Sequence, residues 1–386
     1  MTIFAALSFL FSFALCATVV LTKSWHLHLT SKGHTASAKQ SSHRIPTPRI
    51  GGLGLLAFAI TGALMSDAET SRLILLLSVS AIPVFLGGFG EDTGFDVTPK
   101  MRLLLSFLSA AIAGVLLSAW VSRSGIPGLD AALSVTLISI AFTMLMSGGI
   151  CHAINLVDGL NGLSIGLSLM MAGALASISM LVGDSAMTSV SLILIAALAG
   201  IFVFNFPLGK IFLGDAGAYS IGHLLTWIAI LLMARNPEVA PFAMFLIFFW
   251  PVADMLFAIM RRLRNGKPID QPDRMHFHQF VMRAIELTVV SRRSVSNPLA
   301  AAMIWPLAAF PISFAILFYN ANLVAAIAWL VCFGLFVWSY VAGIRIACYL
   351  SRARKDNEKL TATIGREGFG RLKNVAAKGS RIHPAE

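Results

Sequence analysis

Met187-Thr-Ser-Val-Ser-Leu-Ile-Leu-Ile-Ala-Ala-Leu-Ala-Gly-Ile-Phe-Val-Phe204 carries no charge, and then gives way to Asn205-Phe-Pro-Leu-Gly-Lys210-Ile-Phe-Leu-Gly-Asp215-Ala-Gly217. A helix crosses the hydrocarbon core with about 20 mainly apolar residues, and with as few as about 17. The first stretch meets that length. The second, with its glycines, proline, lysine and aspartate, belongs at a surface. Outward from this pair the same alternation repeats, with apolar runs at approximately 2–22, 50–66, 72–89, 103–121, 131–153, 162–182, 187–204, 218–234, 240–260, 299–318 and 321–349. The sequence therefore predicts an all-α fold, a polytopic membrane helical bundle of about 11 transmembrane helices. Composition agrees: of 386 residues 57% are hydrophobic and 12% charged, against about 25% charged in soluble domains. Mean hydropathy is +0.81. A soluble enzyme with a single anchor, a secreted disulfide scaffold and an outer-membrane barrel are all excluded, the last because its strands would alternate.

The basic residues test this topology. With the N-terminus outside, the inner segments are 23–49, 90–102, 154–161, 205–217, 261–298 and the tail after 349, and they hold 25 of the 29 Lys and Arg residues. The outer loops hold Arg72, Arg123 and Arg235, while Arg345 sits near the inner end of the last run. That asymmetry is the positive-inside pattern, so the N-terminus is expected outside and the C-terminus in the cytoplasm. The net charge of +11 then reads as attraction to anionic membrane lipid, with no nucleic-acid partner. Residues 1–350 are read as a single integral membrane domain and 351–386 as a basic cytoplasmic tail. Residues 2–21 read as a retained first span. Cys16, Cys151, Cys332 and Cys348 lie in apolar runs without a CxxC pair, so neither disulfides nor zinc are expected.

Only 18 residues are Asp or Glu, and their placement is informative. Asp67, Glu69, Asp130, Asp184 and Glu238 fall in outer loops and read as solvated. On the inner side, Glu91, Asp92 and Asp96 follow the third run, Asp158 follows the fifth, Asp215 precedes the eighth and Asp254 lies near the inner end of the ninth. Asp270 and Asp273 accompany His276 and His278. Ionisable groups at membrane depth are costly and face a cavity or a partner. Any one of these acids alone reads as a loop-end residue. Several separate inner loops delivering carboxylates to one face is the arrangement a metal and phosphate site requires. Glycine strengthens the reading. Gly87-Gly-Phe-Gly-Glu91-Asp92, Asn155-Leu-Val-Asp158-Gly-Leu-Asn161-Gly162 and Phe212-Leu-Gly-Asp215-Ala-Gly217 each set polar groups beside residues that allow close backbone approach to a ligand.

These residues resemble, in order, the polyprenyl-phosphate N-acetylhexosamine-1-phosphate transferases, in their bacterial undecaprenyl-phosphate branch. The similarity runs over roughly 44–279. It takes in Arg44-Ile-Pro-Thr-Pro-Arg49-Ile-Gly-Gly52, Glu91-Asp92 with Pro99-Lys100, the Asn155–Leu163 motif, Asn205-Phe-Pro207, Phe212–Gly217, Pro251-Val-Ala-Asp254, Arg261-Arg262 and Pro272-Asp-Arg274-Met-His276-Phe-His278-Gln279. The chain departs from the family pattern at Glu91, where the acidic pair is usually Asp-Asp, at Asn161, usually an acid, and at Gln279, usually a histidine.

The resemblance implies transfer of a HexNAc-1-phosphate from a UDP-N-acetylhexosamine donor to undecaprenyl phosphate, a polyprenyl phosphate acceptor, with release of UMP. It further implies dependence on Mg2+, or Mn2+ in its place. Asp215 is the implied principal metal ligand, with Glu91 and Asp92 lining the metal and acceptor phosphate; these three are the candidate catalytic residues. Asn155, Asp158, Asn161 and Asn205 would hydrogen-bond the nucleotide, and Phe212 would stack on uracil. Lys100, Arg274, His276 and His278 would contact the diphosphate. His152 and His223 are read as local hydrogen-bonding residues, and Arg44 and Arg49 as meeting either lipid headgroups or the acceptor phosphate. The address is a bacterial cytoplasmic (inner) membrane, and the product starts a lipid-linked surface polysaccharide such as O antigen. The alternatives are phospho-MurNAc-pentapeptide transfer in peptidoglycan synthesis and, from another class, a transporter or lipid flippase. A CDP-alcohol transferase is excluded, because Asp158-Gly159 is not followed by Ala-Arg and further spaced acids.

Overall fold

The computed structural model describes residues 2–30, 47–65, 67–268, 275–290, 292–346 and 349. Among them the secondary structure is helical throughout. The helices are α1 Thr2–Leu21, α2 Lys23–Thr30, α3 Leu56–Leu64, α4 Ala68–Ser80, α5 Ile82–Asp92, α6 Pro99–Leu117, α7 Pro127–Leu133 and α8 Thr136–Val157. They continue with α9 Leu163–Leu181, α10 Ser185–Asn205, α11 Gly214–Arg235, α12 Pro241–Ile247, α13 Phe249–Arg264, α14 Phe277–Thr288, α15 Arg293–Leu317 and α16 Asn322–Ile346. Met1–Leu335 clusters as one unit; the chain from Phe336 belongs to a second, described here only as the end of α16.

Among the described residues, eight helices are long and apolar enough to cross a membrane, or up to ten if each of two bent pairs is one span. The pairs are α4–α5, bent by 46°, and α12–α13, bent by 80°. The eleventh expected span, 50–66, is a 3₁₀ turn, Gly51–Leu55, running into α3. At about 1.5 Å per residue it is shorter than the roughly 30 Å core. Apolar length in the sequence thus overstated helical length there, because two of the glycines in Gly51-Gly-Leu-Gly54 are used for close backbone contact.

The core forms around α11, which is buried from Gly214 to Met233 and packs against α5 and α8. Small residues let these neighbours approach. A Cβ at Gly222 would lie 2.6 Å from the Cys151 Cα on α8, and one at Gly52 would lie 2.5 Å from the Gly217 nitrogen. The two ends of α11 are chemically distinct. At its C-terminus, Arg235 pairs with Asp184 at 2.7 Å and Glu69 at 2.8 Å, and Arg123 donates to the Met233 carbonyl at 2.8 Å. At the N-terminus stands Asp215, about 30 Å away by helical rise. Glu69 therefore lies at the end opposite Asp215, although Gly51 lies beside it.

Close packing at α11 has a measurable consequence. Gly222→Ala should lower the unfolding temperature in detergent, since an added methyl in a tight contact costs about 1–3 kcal/mol. Gly173→Ala, where a Cβ meets nothing within 4 Å, should leave it unchanged or raise it slightly, as alanine favours a helix by about 0.5–1 kcal/mol.

Candidate functional site

The site is built on the start of α11. Gly214, its first residue, has φ +74°, a left-handed conformation that glycine adopts without steric cost. A side chain there would collide with the Arg49 carbonyl and the Asp92 carboxylate. The incoming strand of chain is pinned by three backbone hydrogen bonds: Phe212 N to Pro48 O at 2.8 Å, Gly51 N to Phe212 O at 2.9 Å and Gly52 N to Leu213 O at 2.9 Å. Helix N-termini leave their first N–H groups without partners. Here Asp92, at the end of α5, supplies them: Oδ1 accepts from Asp215 N at 3.0 Å and Oδ2 from Ala216 N at 2.9 Å. A carboxylate in that place is also favoured by the helix dipole.

So anchored, the Asp215 side chain meets three donors from three other elements. Its Oδ1 accepts from Arg49 Nη2 at 3.2 Å and Asn155 Nδ2 at 3.1 Å, and its Oδ2 is paired with Arg102 at the start of α6. Arg49 Nη2 also lies 3.7 Å from Asp92 Oδ1. Burial works against charge on Arg49, but Asp92, Asp215, Asp158 and Glu91 outweigh it and hold the guanidinium above its usual pKa. Burial pushes the Asp158 carboxyl up to about 7, with Arg49 opposing and Asp215 adding to the rise. Glu91 is half-buried and acts electrostatically on both Arg49 and Arg102.

Beside this centre the 158–162 loop is held in place by amides. Gly162 N donates to Asn205 Oδ1 at 2.6 Å, and Asn205 Nδ2 to Ile211 O at 2.8 Å. Asn161 receives nothing from a neighbouring acid; its Nδ2 donates to Pro207 O at 2.9 Å and its backbone N to Asn297 Oδ1 at 2.7 Å. A second helix start closes the flank. Asp254 accepts from Phe277 N at 3.0 Å and pairs with His276 Nδ1 at 2.9 Å, so it caps α14 as Asp92 caps α11. His278, buried, stacks on His276 with centroids 5.8 Å apart, and its Nε2 would lie 2.5 Å from a Cβ placed on Gly159. Burial pushes His278 down to about 4, Asp254 raising and His276 lowering it, so its ring is neutral at pH 7.

The structure brings together Glu91, Asp92, Asn155, Asp158 and Asp215, with His276 and His278 against the Asp158 loop. Asn161 and Asn205 use their side-chain nitrogens on backbone carbonyls, which gives them a loop-fixing job. Phe212 is half-buried beside Pro48. Lys100 is exposed; the cation of α6 that reaches Asp215 is Arg102, two residues on. Sequence reasoning missed Arg102, yet the register of α6 contains it. Ser106, Ser109 and Ala113 are buried, and Arg102 precedes Ser106 by four residues on that face. Arg274, Arg44, Asp270, Asp273 and residues 351–386 lie outside the described residues. Among those described, no three His, Cys, Asp or Glu groups converge as a metal cage. Both oxygens of Asp92 are turned onto α11 amides. The Asp215 oxygens are held by Arg49, Asn155 and Arg102, so a cation there would take the place of one of these donors; magnesium habitually takes one or two carboxylates and completes its shell with phosphate and water. The residues present fit a cation in that limited way.

Fold and site together define a multi-pass helical membrane protein with a carboxylate–guanidinium centre at one end of its bundle. Residues 74–233 match the family described as Glycosyl transferase family 4. A Bacillus subtilis protein, the probable undecaprenyl-phosphate N-acetylglucosaminyl 1-phosphate transferase of strain 168, is 30% identical over 236 residues, 61% of this chain and 65% of its own length. The decaprenyl-phosphate N-acetylglucosaminephosphotransferase of Mycobacterium tuberculosis (strain CDC 1551 / Oshkosh) is 30% identical over 280 residues, covering 62% and 67%. The undecaprenyl-phosphate alpha-N-acetylglucosaminyl 1-phosphate transferase of Yersinia pestis is 28% identical over 251 residues, covering 63% and 67%. The match to the Bacillus relative thus falls just short of two thirds of that protein. The chain belongs to glycosyl transferase family 4.

Two measurements check the site. Asp92→Asn keeps one acceptor but turns an NH2 group onto an amide donor, and should cost about 1–3 kcal/mol of stability, read as a drop in the detergent unfolding temperature. Glu91→Gln should show no such drop. Asp158 prefers its proton in the folded state, so its contribution is present below the unfolded pKa of about 3.9 and lost as pH rises toward 7. Asp158→Asn should flatten that part of the stability–pH curve; an unchanged slope between pH 4 and 7 would show that the carboxyl is ionised throughout.

Proposed function

We propose that the protein transfers a HexNAc-1-phosphate from a UDP-sugar to undecaprenyl phosphate and releases UMP. The observation that carries this is Asp215, fixed at a helix start and faced by Arg49, Arg102 and Asn155. Two anionic substrates repel each other, and a transferase between them needs cationic groups around a carboxylate that can hold a metal. An oxygen of the acceptor phosphate attacks the donor phosphorus that carries the sugar. The new P–O bond forms as the bond to the UMP oxygen breaks, giving a lipid diphosphate sugar. Arg49 and Arg102 offset charge on the phosphates, Asn155 orients Asp215, and Asp158 with the Gly159 turn lies where the nucleotide would enter. Magnesium, or manganese, held by Asp215 with Glu91 nearby, would neutralise charge on the leaving phosphate. A lipid phosphate is largely ionised at neutral pH, so attack needs no strong base.

In this reading the site faces the cytosol of a bacterial inner membrane, with the N-terminus outside and eleven crossings. The Glu69–Arg235 pair supports it, since the short Gly51–Leu64 segment then still joins the two faces. The excess of Lys and Arg at the site end supports the same side. The relatives named above support GlcNAc-type donors over phospho-MurNAc-pentapeptide, and an O-antigen-like polysaccharide is the product we favour. A transporter would carry its ionisable site near the midplane, whereas these groups gather at helix ends.

Membranes containing the protein, given labelled UDP-GlcNAc and undecaprenyl phosphate, should form UMP and a lipid-linked sugar. Chelation should stop the reaction and added Mg2+ restore it. Asp215→Asn should reduce it by about 100-fold or more with insertion intact. Retained turnover in that variant would remove Asp215 from the chemistry.

A further inference from the structure

One pair of donors near Asp215 has no acceptor. On α8, His152 and Asn155 are three residues apart and face α11, where Asp215 and Tyr219 are four apart. Asn155 bonds Asp215, and His152 packs edge-on to Tyr219 with centroids 4.9 Å apart, its Nδ1 lying 3.3 Å from the Tyr219 hydroxyl. The two contacts form successive rungs between the same helices. Tyr219 has no other hydrogen bond among the described residues; with its hydroxyl as the donor to Nδ1, the imidazole proton sits on Nε2.

Nε2 is buried and without a partner among the described residues, and so is the Nε of Arg102. Arg102 is paired with Asp215, and His152 with Tyr219 one helical turn further along the same two helices, so the four groups share one neighbourhood. Two buried donors there lack an acceptor, and both Asp215 oxygens are engaged with Arg49, Asn155 and the Arg102 terminus.

We propose that His152 Nε2–H and Arg102 form a second anion subsite beneath Asp215 that grips one phosphate oxygen of a substrate. The claim rests on the transferase reading and deepens it. The ligand chemistry is a phosphate oxygen, from either the nucleotide or the lipid phosphate. His152 is a binding residue in this scheme, and Tyr219 positions it by fixing the tautomer.

The test uses the full chain in nanodiscs with UMP, undecaprenyl phosphate and uridine as separate probes. His152→Phe keeps the ring against Tyr219 and deletes the donor. It should weaken a phosphate-bearing probe about tenfold or more, the size expected for a hydrogen bond to a charged group, and leave uridine untouched. Loss confined to UMP assigns the subsite to the nucleotide; loss confined to undecaprenyl phosphate assigns it to the acceptor. His152→Gln, whose amide can donate, should recover most of the affinity. Tyr219→Phe should give an intermediate loss, and it carries the test if His152→Phe fails to fold. Wild-type affinity for both phosphates in His152→Phe, or no recovery in His152→Gln, would leave only a buried water between the two donors and overturn the subsite. If the wild-type chain binds neither phosphate probe, the transferase reading fails and the subsite with it.

Discussion

The bond between the Asp92 carboxylate and the first amides of α11 is the interaction on which the site depends. A carboxylate taken out of water loses several kcal/mol of solvation unless it is paired. Asp92 is fully buried, and what offsets the cost is two amide donors, the positive end of a helix and Arg49. The contact demands that α5 and α11 almost touch. Gly88 makes this geometry open to them, since a Cβ there would lie 2.5 Å from the Asp215 carbonyl carbon. Asp215 thereby inherits a fixed origin, and its carboxylate can be shared among groups from three other elements without losing its place.

The far end of α11 shows the complementary arrangement. Arg123 donates to the carbonyls of Met233 and Asn236, while Arg235 is held by Asp184 and Glu69. Acid at the start and base at the finish match the helix dipole at both faces. A central helix fixed in this way resists sliding along its axis.

How much of this was legible in the sequence follows from the range of each interaction. Most spans were, because apolar length is a local property; at 50–66 the helix is shorter than the apolar run, and glycines there serve a tertiary contact. The acids were located on one end, because helix counting carries them there. What the sequence hid is partnership. Asp92 and Asp215 stand 123 residues apart, and nothing local distinguishes a carboxylate that caps a distant helix from one that binds a metal. The turns that Asn161 and Asn205 lock through their side-chain nitrogens are likewise invisible in a motif. Lys100 stands out by motif position, whereas the serine register of α6 is what points Arg102 inward.

The use of remote caps also decides what kind of group must bind phosphate here. Helix N-termini are ready anion sites when their amides are free. On α11 the amides of Asp215 and Ala216 are taken by Asp92, and on α14 that of Phe277 by Asp254. A phosphate at either start would compete with a buried carboxylate for those amides. In the proposed reaction its counter-charge would come chiefly from side chains, and those that converge on Asp215 are the guanidinium groups of Arg49 and Arg102. Unlike backbone amides, such side chains can release Asp215 and turn to a ligand. Fixed acids paired with movable cations is an arrangement suited to two anionic substrates that must be brought together and then parted.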